Sequence, residues 1–250
     1  MKIFVSVIMP NYNEYGNIKR GVLEEVNEYL TSRDFGWEVI ISDDGSTDGS
    51  LDLIESKIEK LPGFRLLKNK HAGKPYAIRS AIKEAKGEYV LFTDMDQSTP
   101  IKELDKLIPH AKNGQKIVIG SRGSRRSDST PIRQLASVIF QFARRSILLP
   151  RIQDTQCGFK LLDTELAGKI FRRMRIFGRD HKATGWKVTA YDVEMLFLAR
   201  KMRLAITEVK VIWKNEDTSV GKKRNFVKES IEMFAEILRV RINDLLGKYD

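Results

Sequence analysis

The first 120 residues alternate short apolar runs with stretches whose apolar residues recur at helical spacing. The apolar runs are FVSVIM (4–9), WEVII (37–41), FRLLK (64–68), EYVLFT (88–93) and KIVIG (116–120). The helical stretches lie near 17–31, 48–60, 74–86 and 100–111. A repeated strand–helix unit predicts an α/β fold, in which helices cover both faces of a mostly parallel central sheet.

Beyond residue 120 the alternation weakens, and two amphipathic stretches take its place. Residues 131–149 and about 227–246 both put their apolar side chains on one helical face. Between the fifth run and the first of these stretches, RGSRRSDST (122–130) has the composition of a loop. We therefore predict that residues 221–250 form a C-terminal amphipathic helix.

Charge is distributed unevenly along the chain. Residues 1–60 carry 6 Lys/Arg against 12 Asp/Glu, whereas residues 121–250 carry 27 against 15. A basic second half indicates an anionic partner, namely a nucleotide, a nucleic acid or a membrane surface, unless it is only a solvated lysine-rich surface. The single cysteine excludes an internal disulfide, and three histidines without cysteine partners give no zinc pattern.

Polar clusters follow the predicted strands at the point where each strand ends. They are PNYNE after the first run, SDDGSTD after the second, DMDQ after the fourth and GSR after the fifth. Ligands of open α/β sheets bind at the carboxyl ends of the strands. The sequence therefore predicts one binding site along this edge of the sheet.

Asp94 and Asp96 are the most unusual of these residues, because two like charges directly follow a buried run. Both can reach one cation if the chain leaves the pleat there. Mg²⁺ and Mn²⁺ take oxygen ligands and often share substrate phosphates. A loop with an Asx turn is the alternative for this pair. SDDGSTDGS likewise allows an Asx turn followed by an N-cap at Asp48.

Five motifs carry a resemblance to a known family. VSVIMPNYNE, VIISDDGSTDGS, HAGKPYAIRSAI, YVLFTDMDQS and QDTQCGFKLL occur in an order and spacing similar to those of family 2 glycosyltransferases of the GT-A type. The last motif, with AYDVEMLFLA and EVKVIWKNEDTS, most resembles the dolichyl-phosphate glucosyltransferase and mannose synthase branch. The resemblance covers residues 4–220. It implies a catalytic domain over 1–220, with a nucleotide-sugar-binding half (1–120) and an acceptor-side half (121–220).

The resemblance also implies roles for individual residues. Asp94 and Asp96 are implied as the catalytic and metal-binding pair. The implied donor-binding residues are Pro10, Tyr12, Glu14, Ile41, Asp43, Lys74, Asp94, Met95 and Asp96. The implied residues for phosphate or acceptor are Arg122, Arg133 and Lys214. Two positions depart from the mannose synthase pattern, since Ser98 stands where those relatives have glutamine and Val220 where they have lysine.

The activity implied is an inverting, metal-dependent transfer of a hexosyl group from a nucleotide sugar to a dolichyl or polyprenyl phosphate. Mg²⁺ or Mn²⁺ is the expected cofactor. UDP-glucose is the favoured donor because of QDTQCGFK, with GDP-mannose as the other candidate. Because no apolar run reaches eighteen residues and no signal peptide is evident, we expect a cytoplasmic protein lying peripherally on the cytosolic face of a membrane, with the 131–149 helix as the contact.

Two other functions fit parts of the sequence. One is a glycosyltransferase that acts on a hydroxyl of a soluble or polymeric glycan, and the other is a basic nucleotide- or RNA-binding module. No nucleic-acid motif interleaves the lysines, so a nucleic-acid partner is not expected. Asp192 discriminates between acceptors: it is either an N-cap for a helix over 193–201 or, as in hydroxyl-using relatives, a catalytic carboxylate. A lipid phosphate is already ionised and needs no such base.

Overall fold

The structure is a computed structural model that describes residues 2–123, 149–150, 152–178, 191–214, 216–218 and 226–250, with side chains in the last segment from Phe234 onward. Seven strands of this part form one sheet with the order β3-β2-β1-β4-β6-β5-β7. The strands are β1 (Ile3–Asn11), β2 (Gly36–Asp43), β3 (Phe64–Lys68), β4 (Tyr89–Phe92), β5 (Ile117–Ser121), β6 (Lys160–Asp163) and β7 (Thr207–Lys210).

Eight α-helices and two short 3₁₀ helices are described in the same part of the chain. The α-helices are α1 (Tyr15–Lys19), α2 (Val22–Thr31), α3 (Ser50–Ile58), α4 (Lys74–Glu84), α5 (Leu104–Lys112), α6 (Thr164–Arg173), α7 (Tyr191–Lys201) and α8 (Phe226–Leu245). The 3₁₀ helices are Ile101–Glu103 and Arg175–Gly178. All five strands and the four helical regions predicted in the first 120 residues are present.

The sheet is mostly parallel, as predicted. The pairs β1–β2, β1–β4, β2–β3 and β5–β7 are parallel, whereas β6 runs antiparallel to both β4 and β5. The sequence did not indicate β6 or β7, because KLLD and TEVK contain only two and one apolar residues and so give no strand pattern. The reversed β6 brings its first residues, rather than its last, to the edge where the parallel strands end.

Strand β1 explains why helices cover both faces. Its successive side chains point to opposite sides, so Ile8 joins one core cluster while Val7 and Met9 join the other, all fully buried. The Ile8 cluster includes residues of α4, α6, α7 and α8, and the other includes residues of α1, α2, α3 and α5. Burying each such side chain contributes about 1.5–3 kcal/mol.

Two predicted boundaries need correction. The helix predicted over 17–31 is two helices, because Gly21 lies between α1 and α2 with φ of 102°, a backbone conformation that favours glycine. The N-cap of α3 is Gly49 rather than Asp48, although Asp48 Oδ1 still accepts a hydrogen bond from Ser50 N (3.0 Å).

The predicted C-terminal helix corresponds in position to α8. Most of the predicted 131–149 helix, with Arg133, lies outside the described residues, as do Val220 and the 122–130 loop beyond Gly123. Among the helices that are described, none combines the length and apolar character needed to cross a membrane.

Candidate active site

The polar clusters after the parallel strands meet at one edge of the sheet, as predicted. Asn11 at the end of β1 pairs in register with Asp43 at the end of β2, and Asn11 Nδ2 donates to Asp43 Oδ1 over 2.7 Å. The segment 154–160 enters the same edge, because it leads into the reversed strand β6. The edge therefore collects side chains from both halves of the sequence.

The chain leaves the pleat directly after β4, as a shared cation site requires. Gln97 N donates to the carbonyl of Asp94 (3.1 Å), and Gln97 itself has φ of 48°, so residues 94–97 form a tight turn. The side chain of Met95 is buried, and Ser98 N donates to Asp96 Oδ1 over 2.9 Å. The turn thus fixes Asp96 through the backbone.

Two cations bond to this turn: Arg20 donates to the carbonyl of Asp96, and Lys74 reaches the carboxylate of Asp94. Gly73 is the N-cap of α4 and Pro75 lies in its first turn, where proline is tolerated, so the helix begins at Lys74. Lys74 Nζ donates to Asp94 Oδ1, and the two side chains are 38% and 39% exposed. Burial acts to raise the pKa of Asp94, but the charge and hydrogen bond of Lys74 outweigh it and hold this pKa below its usual value.

The pKa of Asp96 shifts in the opposite direction from that of Asp94. Burial, followed by the negative charge of Asp94, raises the pKa of Asp96. Two carboxylates that repel each other in one turn favour binding of a cation between them. The oxygen Oε1 of Gln97, in the same turn, is buried and has no hydrogen-bond partner among the described residues.

These residues fit a hard divalent cation that takes its remaining ligands from water and substrate phosphates. The described ranges contain no group of three or more His, Cys, Asp or Glu side chains able to hold a metal. Asp94 and Asp96 are therefore a two-carboxylate set, which matches Mg²⁺ or Mn²⁺ shared with a diphosphate better than a metal enclosed by protein alone.

Gly158 supports the turn from the opposite side. A Cβ atom at this position would lie 2.1 Å from Oδ2 of Asp94 and 2.7 Å from its Cγ. The glycine is therefore required for the close approach between the two segments. Sequence reasoning missed this role, since nothing in QDTQCGFK indicates which residue faces Asp94.

Of the predicted donor residues of the first motif, Pro10 lies in β1, and Tyr12 and Glu14 lie in the loop that follows it. The ring of Tyr12 stacks on His71, with centroids 4.3 Å apart and an interplanar angle of 9°. Glu14 is buried and accepts a hydrogen bond from Asn17 Nδ2 (2.5 Å), while Pro10 is only partly buried near the end of β1. The loop thus presents an aromatic surface at the same edge as Asp94.

His71 is held by Asp44, the second aspartate of the SDDGSTDGS motif. The ring nitrogen Nδ1 of His71 lies 2.8 Å from Oδ2 of Asp44 and 3.0 Å from its carbonyl. Both neighbours are acceptors, so Nδ1 carries a proton. Asp44 also accepts from Ala72 N (2.9 Å) and Gly73 N (2.8 Å), which joins the second motif to the start of α4.

Two predicted donor residues are enclosed by the protein itself. Asp43 is fully buried, and its carboxylate accepts hydrogen bonds from Asn11, Ser46 and the amide of Gly45. Ile41 is also fully buried and lies within β2 rather than at its end, because the strand continues to Asp43. A direct contact between either residue and a donor stays a prediction.

Arg122 lies at the end of β5 and is bound to a carboxylate that the sequence did not single out. Arg122 Nε and Nη2 donate to the two oxygens of Asp154 over 2.7 and 2.8 Å. Burial acts to raise the pKa of Asp154, but the hydrogen bonds and charge of Arg122 lower it to about 2. Arg122 also lies 5.9 Å from the ring centroid of Trp213.

Lys214 has an exposed side chain, and its backbone N donates to the carbonyl of Ser98 over 2.7 Å. This bond brings the segment after β7 beside the carboxylate turn. Roles for Arg122 and Lys214 toward phosphate stay predictions.

The Arg122–Asp154 pair predicts how stability depends on pH. Because the pKa of Asp154 is depressed from 3.8 to about 2, the pair stabilises the fold above about pH 4, and the stabilisation is lost as pH falls toward 2. The loss is on the order of 2 kcal/mol. Urea unfolding at pH 6 and pH 3 should show that Asp154→Asn is less pH-dependent than the wild type, and equal pH dependence would contradict the assignment.

Asp192 does not cap a helix, contrary to one of the two alternatives above. Among the described residues, α7 runs over Tyr191–Lys201, so Asp192 lies inside the helix rather than ahead of it. Asp192 Oδ1 accepts a hydrogen bond from Lys160 Nζ over 2.6 Å. The side chain of Lys160 is 1% exposed and also donates to the carbonyl of Cys157.

The profile of one family, Glycosyl transferase family 2, matches residues 6–171. A dolichyl-phosphate beta-glucosyltransferase from Dictyostelium discoideum is 36% identical, over 98% of this chain and 76% of that protein. The chain therefore belongs to glycosyl transferase family 2 and is a glycosyltransferase.

Solved structures are similar in fold. Mannosyl-3-phosphoglycerate synthase from Rubrobacter xylanophilus aligns with a TM-score of 0.65 at 17% identity, over 98% of this chain and 75% of that chain. Glucosyl-3-phosphoglycerate synthase from Mycobacterium tuberculosis, in complex with Mn²⁺, UDP and glucosyl-3-phosphoglycerate, aligns with a TM-score of 0.59 at 20% identity, over 99% and 80%. The predicted GT-A type of fold is confirmed by this likeness.

Proposed function

We propose that this enzyme transfers glucose from a nucleotide sugar to dolichyl phosphate or a related polyprenyl phosphate. The observation that carries the proposal is the carboxylate turn at Asp94 and Asp96 beside Lys74, in a chain 36% identical to a protein named dolichyl-phosphate beta-glucosyltransferase. A site with paired carboxylates and a lysine matches a diphosphate and its cation.

The donor is UDP-glucose, with GDP-mannose as the less favoured candidate. The Tyr12–His71 stack offers an aromatic surface on which a base can lie, at the same edge as the carboxylate turn. Lys74 is placed to exchange its bond to Asp94 for one to a phosphate oxygen, because its ammonium group is partly exposed and has three donors.

Asp94 and Asp96 hold Mg²⁺ or Mn²⁺. The metal supplies Lewis-acid stabilisation of the leaving diphosphate when it is bound. The glucosyl-3-phosphoglycerate synthase of similar fold was solved with Mn²⁺ and UDP, which supports a divalent cofactor for this chain. The protein's own part is to fix Asp96 through Ser98 N and to orient Asp94 through Lys74.

Transfer proceeds by a single displacement that inverts the anomeric centre. An oxygen of the acceptor phosphate forms a bond to the anomeric carbon, and the bond from that carbon to the diphosphate oxygen breaks with its electrons on the diphosphate. The charge of the acceptor phosphate is compensated by basic groups, for which Arg122 and Lys214 at this edge, and Arg133 outside the described residues, are the candidates.

The enzyme lies at a membrane surface, because its acceptor carries a lipid tail, and we propose the cytosolic face. The excess of Lys/Arg over Asp/Glu in residues 121–250, 27 against 15, supports attraction to anionic headgroups. Flotation with anionic liposomes at low salt tests the attachment, and protein that stays in the dense fraction would contradict it.

The function is tested by a panel of donors and acceptors. UDP-glucose and GDP-mannose are each incubated with dolichyl phosphate, with a soluble glucan or with no acceptor, and released nucleotide and glycosylated product are both measured. We expect UDP release matched by dolichyl-phosphate glucose. Turnover on the glucan and none on dolichyl phosphate would favour a hydroxyl acceptor instead.

A further inference from the structure

The Lys160–Asp192 pair is an enclosed charge pair beside the proposed reaction site. Lys160 is 1% exposed and Asp192 is 15% exposed, and Nζ of Lys160 lies 2.6 Å from Oδ1 of Asp192. A buried ammonium is costly unless it is paired and hydrogen-bonded. Lys160 meets this requirement through Asp192 and the carbonyl of Cys157.

Asp192 is linked to the carboxylate turn through Lys160. Lys160 pairs in register with Phe92, two residues before Asp94, and Gly158 on the same segment approaches Asp94 so closely that a Cβ there would lie 2.1 Å from Oδ2 of Asp94. The ammonium group of Lys160 in turn lies 2.6 Å from Oδ1 of Asp192. Asp192 is therefore a carboxylate at the reaction site that lies outside the 94–97 turn, and a carboxylate in such a place can accept a proton from an attacking hydroxyl.

The two classes of acceptor, an ionised phosphate and a hydroxyl, differ in whether the reaction must also transfer a proton. When a phosphate oxygen attacks the anomeric carbon, the carbon–oxygen bond to the diphosphate breaks and no proton has to move. When water or a sugar hydroxyl attacks, the same bonds form and break, and the acceptor proton must also pass to a base. Asp192 can be that base only if its oxygens are not already committed to a cation.

We propose that Lys160 determines acceptor specificity by keeping Asp192 as its counter-ion, so that the site lacks a free base and uses only acceptors that are already ionised. The inference rests on the proposed function for its acceptor class. Lys160 acts through Asp192 and is a positioning residue. Water is the hydroxyl acceptor present in every assay, so hydrolysis of the donor reports whether a base has been released.

The experiment measures hydrolysis of UDP-glucose without lipid acceptor, or of whichever nucleotide sugar the panel identifies, and compares it with transfer to dolichyl phosphate. Lys160→Met should raise the ratio of hydrolysis to transfer about tenfold or more, since a placed base contributes about 10²–10⁴-fold. Adding Asp192→Asn to Lys160→Met should return the ratio to the wild-type value. A ratio unchanged in Lys160→Met would overturn the proposal.

A surface pair provides the matched control. Lys169 Nζ pairs with Glu165 on α6, where the two side chains are 50% and 77% exposed, so Lys169→Met removes an ion pair of the same kind away from any burial. This variant should keep the wild-type ratio. An equal rise in Lys169→Met would show that the effect is not specific to Lys160.

Lys160→Met leaves a buried carboxylate unpaired, which can cost about 3–5 kcal/mol and prevent folding. Asp192→Asn decides the question in that case, because its amide oxygen can still accept from Lys160. It should keep transfer to dolichyl phosphate within about threefold, whereas loss of a general base costs about 10²–10⁴-fold. A folded, donor-binding Asp192→Asn enzyme with transfer reduced a hundredfold would overturn the inference.

The inference and the proposed function fail in different ways. If the wild type does not glycosylate dolichyl phosphate, the proposed function fails, yet the hydrolysis ratios among variants can still be measured on the donor alone. If the wild type does glycosylate dolichyl phosphate but the variants give the results that would overturn the inference, only the proposed role of Lys160 fails.

Discussion

Replacing Asp96 with alanine should lower turnover by about a hundredfold or more while the protein stays folded. The change removes one of the two carboxylates proposed to hold the divalent cation, whose effect on the leaving diphosphate is worth several kcal/mol. Each 1.4 kcal/mol corresponds to about a tenfold change in rate. The measurement is kcat against Mn²⁺ concentration, with circular dichroism as the test of folding.

The folded state itself should tolerate the change. Burial and the charge of Asp94 raise the pKa of Asp96, so its ionised carboxylate is not stabilised by the fold. Asp52→Ala is a suitable control, because Asp52 is an exposed aspartate in the first turn of α3. Asp52→Ala should keep wild-type turnover. Full activity of Asp96→Ala in excess chelator would refute the metal role.

Gly158→Ala is expected to have the second largest effect. The new Cβ would lie 2.1 Å from Oδ2 of Asp94, far inside any van der Waals contact, so the carboxylate has to move. Moving it breaks its hydrogen bond with Lys74 and changes the direction in which its oxygens face. We expect kcat to fall at least about tenfold and the Mn²⁺ concentration for half-maximal activity to rise, because a ligand misplaced by about 1 Å can cost 10²-fold.

A glycine in α6 gives the matched control. A Cβ at Gly168 would meet no atom closer than 3.5 Å, and the residue lies within a helix, where alanine is favoured over glycine by about 0.5–1 kcal/mol. Gly168→Ala should keep activity and raise the melting temperature slightly. A Gly158→Ala enzyme with unchanged metal requirement would contradict the contact with Asp94.

The sequence predicted the first half of this fold well, for a physical reason. Strands such as β1 and β2 are long and polar residues follow their apolar runs, so both the strand and the edge that holds the site can be recognised in the sequence. Strand β6 has only four residues, and its sequence does not indicate that it runs antiparallel to its neighbours. The antiparallel insertion could therefore be found only in three dimensions.

The site, like the fold, contains residues that the sequence predicted and residues that it did not. Asp94 and Asp96 could be predicted because two charges after a buried run oppose ordinary burial and so indicate a ligand. Gly158 and Lys160 could not be assigned roles from the sequence, because their partners are 64 and 32 residues away and depend on the direction of β6. The position of Asp192 inside α7 excluded the N-cap interpretation, which local sequence alone had allowed.

The reversed direction of β6 has a consequence for how such enzymes can vary. Within seven residues, the segment 154–160 bonds to Arg122 through Asp154, faces Asp94 through Gly158 and anchors Asp192 through Lys160. An insertion or deletion anywhere in this span would shift all three contacts at once. Exchanging acceptor preference between related enzymes therefore requires grafting the span together with its three partners, rather than substituting residues one by one.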